Sequence, residues 1–178
     1  MNNTSRSNLG YVLLSIAIIV SLAGCSPGYV ITKAPSMDVR LFKNVEVAKV
    51  QIRTTETELP SYIGMLLREA MVDEIIKKQL YHKVSTELDE GESILRIEPT
   101  ISEFDEGSRA ARALIGLGVG KGKFKVKCIF IDKERNQAVA EGAFASEVSG
   151  GVWGGEVDAK QMTIIVAEQV ANFLSRNK

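Results

Sequence analysis

The chain has 178 residues, of which 45% are hydrophobic, and its 22 basic residues balance 22 acidic ones, so the formal net charge is zero. This length fits one domain, and four prolines, few aromatic residues and a mean hydropathy near zero together argue against a disordered or polytopic membrane protein. Zero net charge provides no overall field for a polyanion, so no nucleic-acid partner is expected. Two cysteines are too few for a disulfide scaffold.

The first 24 residues have the pattern of an export signal. Residues 2–10 are polar with one positive charge, and residues 11–22 are apolar except for two serines. This apolar run is shorter than the roughly 20 residues of a membrane-spanning helix, and small residues follow it. Residues 1–24 are therefore predicted to be a signal peptide that is removed from the mature chain.

The cysteine that follows the signal completes a second motif, because Leu22-Ala23-Gly24-Cys25 resembles the lipobox of bacterial lipoproteins. The resemblance implies that diacylglycerol is attached to the Cys25 thiol and that the new amino group is acylated, with palmitate as the acyl group. Each buried methylene contributes about 0.8 kcal/mol, so several acyl chains make a stable membrane anchor. Ser26 after the cysteine implies sorting to the outer membrane, with the periplasmic face favoured. The alternatives are an uncleaved membrane helix or a conventional signal with an incidental cysteine.

The hydrophobic pattern of the mature chain predicts one lipid-anchored linker followed by one domain. Residues 25–43 contain two prolines and no sustained hydrophobic period, so they are interpreted as a linker, and residues 44–178 as the domain. A strand is predicted at residues 45–52, with a change of phase near Ala48 that indicates a bulge. Apolar residues then recur in steps of three and four, which predicts a helix over residues 60–80 that its proline opens.

The second half of the domain predicts three strands and a final helix. The strands are expected at residues 93–104, 123–131 and 138–148, with a polar hairpin loop at 132–137. Pro99 favours an edge or bulged strand. The helix is expected to begin after Asp158 and to bury a stripe of Met162, Val166, Val170 and Phe173 or Leu174. This order predicts an α+β fold: a two-layer domain with a mainly antiparallel sheet of about four strands packed by two helices.

Cys128 is the one thiol that remains beside the lipidated cysteine. It alternates with Phe124, Val126 and Phe130 on one face of a predicted strand, which indicates a small buried hydrophobic residue. The alternative is a reactive thiol, which needs an exposed and electropositive setting.

A basic, glycine-rich segment at residues 107–127 is the least ordinary part of the sequence, with six basic residues and no acidic one. Its spacing lacks the Gly-Lys-Ser/Thr sequence and the following helix of a phosphate-binding loop, so no nucleotide is expected. Two interpretations stay open: a surface for anionic headgroups or a partner, or a turned segment with solvated charges. Trp153 lies in a second glycine cluster. The candidate interaction residues are Arg109, Arg112, Gly116, Gly118, Gly120, Lys121, Gly122 and Trp153.

Several motifs in the second half of the chain are those of one bacterial lipoprotein family. They are Gly107-Ser108-Arg109-Ala110-Ala111-Arg112, then Gly116-Leu117-Gly118-Val119-Gly120-Lys121, Asp132 near a strand end, and Gly151, Gly154 and Gly155. On these residues the chain resembles the family catalogued as domain of unknown function 4410. The resemblance implies a lipid-anchored envelope protein with a small α+β domain, and it provides no activity to carry over.

The sequence contains no recognisable catalytic motif, so no enzyme activity, cofactor or metal is expected. His82 is the one histidine, which excludes a two-histidine metal site. Glu103, Asp105 and Glu106 form a possible carboxylate pair, although the neighbouring Arg109 favours structural ion pairing. The leading hypothesis is a non-enzymatic binding or assembly module with a protein or glycan partner in the envelope. The alternatives are a hydrolase or ligand-binding protein acting on an envelope polymer, and an auxiliary lipoprotein of a transport system.

Overall fold

The computed structural model describes residues 28–54, 59–88, 93–105, 122–148 and 159–177, which form seven strands of one sheet and two α-helices. The strands are β1 (Tyr29–Lys33), β2 (Asn44–Val47), β3 (Gln51–Ile52), β4 (Lys83–Ser85), β5 (Ile94–Asp105), β6 (Gly122–Asp132) and β7 (Gln137–Val148). The helices are α1 (Ile63–Lys77) and α2 (Ala159–Arg176), and a short 3₁₀ helix spans Val39–Leu41. Within these ranges neither helix combines the length and apolarity that crossing a bilayer requires.

The strand order is β1-β7-β6-β5-β2-β4, and β3 lies beside β5. Strands β5, β6 and β7 form an antiparallel meander, and β1 adds antiparallel to β7. Strand β2 is parallel to both β4 and β5 because α1 carries the chain back between β3 and β4. The prediction of an α+β fold with two helices is therefore confirmed. The prediction of about four strands in a mainly antiparallel sheet is corrected, because the sheet has seven strands and is mixed.

The strand predicted at residues 45–52 is two strands, β2 and β3, which are separated at Ala48–Val50 where the phase change occurs. Both parts pair with β5. The backbone N–H of Ala48 donates to the carbonyl of Ile97 at 2.9 Å, and that of Arg53 donates to Ile101 at 2.9 Å. Along β5, Pro99 lies midway between Ile97 and Ile101 and has the same orientation as both. The side on which it lacks an N–H therefore faces the gap between β2 and β3. This explains how an interior strand of the sheet contains a proline.

The prediction that residues 25–43 form a linker is wrong for the residues that the structure describes, because β1 is the edge strand of the sheet. Tyr29 lies opposite Phe144 in the β1–β7 ladder. Val39 and Phe42, which follow β1, are buried in the core. The prediction failed because only two residues of β1, Tyr29 and Ile31, point inward. An alternation of two residues is too short to be recognised as a strand, and the two prolines nearby favour a linker.

Both helices pack on one face of the sheet. The stripe predicted for α2 is confirmed, because Met162, Val166, Val170, Phe173 and Leu174 are all fully buried. Helix α1 begins at Ile63, three residues after its proline, and a turn between the Ile63 N–H and the Pro60 carbonyl precedes it. Four aromatic rings meet between α2 and the sheet. They belong to Tyr29, Phe130, Phe144 and Phe173.

Cys128 is part of this core and is 1% exposed, which confirms that it is a buried residue of a strand. Burial raises the pKa of its thiol well above the ordinary value. The thiolate that nucleophilic chemistry needs is therefore suppressed at this position.

Candidate functional site

The sheet face opposite the helices is open in the part of the chain that the structure describes. Along β6, Phe124, Val126, Cys128 and Phe130 point into the core, whereas Lys123, Lys125, Lys127 and Ile129 alternate with them on the outer face. Neither helix packs over this outer side. The alternation that builds the core therefore also places a column of three lysines on the open face.

Small and polar residues flank the lysine column and leave a depression in the open face. One row of neighbouring residues runs across four strands through Val30, Ala143, Lys127 and Thr100. Because Ala143 and Thr100 are short, the side chains around them enclose a cleft of about 440 Å³. We call this the open-face cleft. Its lining residues are Thr32, Arg53, Thr100, Ser102, Lys127, Cys128, Ile129, Glu141, Gly142 and Ala143.

The open-face cleft contains two cations that have no side-chain partner within the described ranges. Among those residues, no hydrogen bond or ion pair engages the ammonium of Lys127 or the guanidinium of Arg53. Glu141 is the one carboxylate in the lining, and the hydroxyl groups of Thr32 and Thr100 add neutral donors. Such a set suits a ligand that has anionic groups and hydrogen-bond acceptors, since Arg and Lys bind carboxylate and phosphate oxygens.

Glu103, which the sequence offered as a member of a carboxylate pair, lies on the same open face in a cross-strand ion pair. Its carboxylate accepts from the Lys125 ammonium at 2.7 Å. This hydrogen bond, with the charges of Lys125 and Lys123, holds the pKa of Glu103 below its ordinary value. A carboxyl group in this state is ionised at neutral pH, and so it cannot act there as a proton donor.

A second charged cluster lies where β2 and β5 meet the start of the β6–β7 hairpin. Glu46 is 7% exposed, and its carboxylate accepts from the Lys133 ammonium at 2.6 Å. The Arg96 guanidinium lies 3.6 Å from Glu46 and 3.3 Å from Glu98. Lys133 also donates to the carbonyl of Leu88. These pairs join two strands and a turn, and every charge in the cluster has an opposite partner, which indicates a structural role.

The predicted lipidation site and most of the predicted interaction residues lie outside the described ranges. These are Cys25, Arg109, Arg112, Gly116, Gly118, Gly120, Lys121 and Trp153, so their roles stay predictions. Gly122 is described: it is the buried first residue of β6 and lies opposite Val148. His82 is exposed, and its backbone N–H donates to the Lys43 carbonyl at 2.8 Å. No group of three or more His, Cys, Asp or Glu side chains among the described residues is placed to hold a metal ion.

The open-face cleft was missed in the sequence, although part of its signal was visible. Lys123, Lys125 and Lys127 have the spacing of one strand face and were noted only as part of a basic run. Arg53 follows a two-residue strand whose pairing with β5 is parallel, and nothing in its local sequence indicates that neighbour.

Comparison with known proteins adds a family and a fold. A family model described as a domain of unknown function, DUF4410, matches residues 32–151. A methionine-substituted variant of the PelC dodecamer from Paraburkholderia phytofirmans has a TM-score of 0.57 at 12% identity, covering 84% of this chain and 98% of that one. A second crystal form of that dodecamer has a TM-score of 0.53 at 11% identity, covering 79% and 96%.

A Xanthomonas campestris protein of the family DUF330 is similar at a comparable level. Its TM-score is 0.52 at 11% identity, with 79% of this chain and 88% of that chain covered. No curated protein matches the sequence. At these identities the structural matches show a shared fold, which extends over nearly the whole length of each of these proteins.

Proposed function

We propose that this chain, which belongs to the DUF4410 family, is a lipid-anchored, non-enzymatic binding or assembly module of the bacterial cell envelope. The observation that carries the proposal is the open-face cleft, where Lys127 on β6 and Arg53, which follows β3, have no described partner and lie opposite the helical layer. Loops move more than sheets, so side chains on strands present a better ordered binding surface.

The charges of the cleft favour a partner with acidic groups. Lys127 stands on β6 near the middle of the sheet, and Arg53 follows β3 at its side, so the two cations approach the cleft from different strands. Glu141 limits the positive charge and favours a ligand whose anionic groups are spaced rather than clustered. We propose that the partner is an envelope protein segment or glycan with carboxylate or phosphate groups.

Two exposed isoleucines allow a matched crosslinking test of this surface in cells. Ile129 lines the open-face cleft and is 37% exposed, and Ile76 lies on α1 and is 51% exposed. We expect a photo-crosslinking residue at position 129 to capture one specific partner, and the same residue at position 76 to capture none. Mass spectrometry of the crosslinked product identifies the partner.

The substitution Lys127→Glu serves as the charge control for the crosslinking experiment. It reverses the charge in the cleft at an exposed position, and we expect it to reduce the specific product at least several-fold. Equal products from positions 129 and 76, or a product that survives Lys127→Glu, would contradict the proposal.

A second candidate within the same class is assembly of this chain with copies of itself. It is favoured by the PelC structures, which are dodecamers and share the fold over 98% and 96% of their chains. Strand β1 also has an outer edge that no described strand covers, and such edges are common sites of strand addition. The crosslinking experiment separates the two candidates, because self-assembly yields a product with twice the mass of the chain.

The lipid anchor is tested separately by the substitution Cys25→Ser. We expect the native protein to carry diacylglycerol on the peptide that begins at Cys25 and to fractionate with the outer membrane. The variant should lack this added mass and leave the membrane fraction. Unchanged mass and fractionation in Cys25→Ser would show that the lipobox prediction is wrong.

The other two hypotheses, an envelope-polymer hydrolase or ligand-binding protein and an auxiliary transport lipoprotein, stay predictions. Glu103 is unsuited to be a proton donor because of its ion pair with Lys125, and this argues against the specific carboxylate pair first considered.

A further inference from the structure

The N-terminal end of the described chain is fixed to the body of the domain at Gly28. The Gly28 carbonyl accepts from the Ala145 N–H of β7 at 3.1 Å. A Cβ atom at Gly28 would lie 2.3 Å from the Gln169 amide nitrogen, so the backbone of residue 28 packs directly against α2. The Gln169 side chain also bonds to both the N–H and the carbonyl of Ala145, at 3.2 and 2.8 Å. Residue 28 is therefore held to the domain by contacts with both β7 and α2.

Only three residue steps separate this fixed point from Cys25. Fully extended, they span about 10 Å, because a chain covers at most about 3.3–3.6 Å per residue. A linker over the whole of residues 25–43 would have allowed about 60 Å. We infer that, given the proposed lipidation of Cys25, the domain is held directly against the phospholipid headgroups and faces them with a defined end of its sheet.

The topology identifies the end that faces the bilayer. Strand β7 runs past Tyr29 by four residues, from Phe144 to its end at Val148, so Gly28 lies toward the end of the sheet where β7 terminates. Strand β6 begins and β5 ends at the same place, since Gly122 lies opposite Val148 and Lys123 opposite Asp105. We call this the anchor end. The β6–β7 turn lies at the opposite end, which we call the hairpin end.

The described charges of the anchor end include no positive excess, because two lysines lie among three carboxylates. Lys123 lies between Asp105 on β5 and Glu147 on β7, and Lys125 is paired with Glu103. Among the described residues, the short tether and not an excess of positive charge therefore accounts for the contact with lipid. This distinguishes the inference from ordinary electrostatic membrane binding, which weakens steeply with added salt.

Two exposed residues of β7 provide a matched pair of probe positions. Glu147 is at the anchor end and Gln137 is at the hairpin end of the same strand, ten residues or about 33 Å apart. The natural cysteines do not interfere with labelling, because Cys128 is buried with a raised thiol pKa and lipidation blocks the Cys25 sulfur. A fluorophore can thus be attached to Glu147→Cys or Gln137→Cys alone.

The lipidated variants are reconstituted in phosphatidylethanolamine and phosphatidylglycerol vesicles that contain a headgroup nitroxide as a short-range quencher. We expect the probe at position 147 to be quenched several-fold more strongly than the probe at position 137, and the difference to persist in high salt. Equal quenching at the two positions would overturn the inference.

A variant with a longer tether tests whether the tether causes the contact. A glycine–serine insert of about 20 residues after Ser26 has a root-mean-square span of about 25 Å and keeps Cys25 as the first mature residue. We expect it to lower quenching at position 147 to the level at position 137, and unchanged quenching would overturn the inference. The mass of the Cys25 peptide is measured on each sample. Absence of lipid would refute the anchor and the inference together, whereas equal quenching on lipidated protein would refute the inference alone.

Discussion

Replacing Phe173 with alanine is expected to lower the free energy of unfolding by about 3–5 kcal/mol. The Phe173 ring is fully buried and is the centre of the aromatic group between α2 and the sheet. Its centroid lies 4.7 Å from that of Phe130, 6.0 Å from Phe144 and 6.1 Å from Tyr29. Truncation leaves a cavity bounded by three rigid rings on three different strands, which cannot collapse together to fill it.

Urea unfolding of the mature protein at neutral pH measures this loss. Glu168→Ala, an exposed change on the same helix, is the matched control and should stay within about 0.5 kcal/mol of the native protein. Phe173→Leu keeps much of the volume and should fall between the two. A loss below about 1.5 kcal/mol for Phe173→Ala would contradict the central place of this ring.

Replacing Asp132 with alanine is expected to lower the free energy of unfolding by about 2–3 kcal/mol at neutral pH. The Asp132 side chain is 2% exposed and organises the β6–β7 turn. It accepts from the backbone N–H groups of Glu134 and Arg135 at 3.1 Å each and from the Arg135 guanidinium at 2.5 Å. Alanine leaves these donors without their acceptor, and the turn loses the interaction that closes it.

The effect of Asp132 should depend on pH. Burial alone would raise the pKa of this carboxyl, but the hydrogen bonds and charge of Arg135, with the Glu134 N–H, outweigh it and lower the pKa in the folded protein. The stabilisation is therefore complete above the unfolded pKa of about 3.9, and it is lost as the pH falls through the lower folded value. We expect the difference between the native protein and Asp132→Ala to narrow in acid.

Asp132→Asn separates the charge from the hydrogen bonds at this turn. The amide oxygen can still accept from the backbone, so this variant should be more stable than Asp132→Ala. Because neither side chain titrates, the difference between these two variants should not change with pH. A native-to-alanine difference that is the same at neutral and acidic pH would contradict the role of the ionised carboxylate.

The parts of the fold that the sequence predicted are those with a long and local pattern. Helix α2 has buried residues in helical steps over its whole length, and β6 alternates strictly from Phe124 to Phe130. The β6–β7 turn is a polar run between two such strands. Each of these elements can be recognised without knowing its neighbours, because its own period indicates its buried face.

The parts that were missed depend on distant partners. Strand β4 has three residues and no buried side chain, and it belongs to the sheet only because β2 lies beside it in parallel. The open-face cleft likewise combines Arg53 and Lys127 from segments that are far apart in the chain. A local pattern can indicate which residues face outward, but the lateral order of the strands determines which of them become neighbours.

The pairing of β1 has a consequence for the order of folding. The Lys33 ammonium donates to the Ala138 carbonyl 105 residues later at 2.6 Å, so β1 meets its partner strand only after most of the chain has been synthesised. Closing so long a loop carries a larger entropic penalty than closing the shorter connections of the β5–β6–β7 meander. We expect β1 to join a sheet that already exists. Given the proposed lipidation of Cys25, that late addition would also be the step that draws a nearly complete domain onto the membrane.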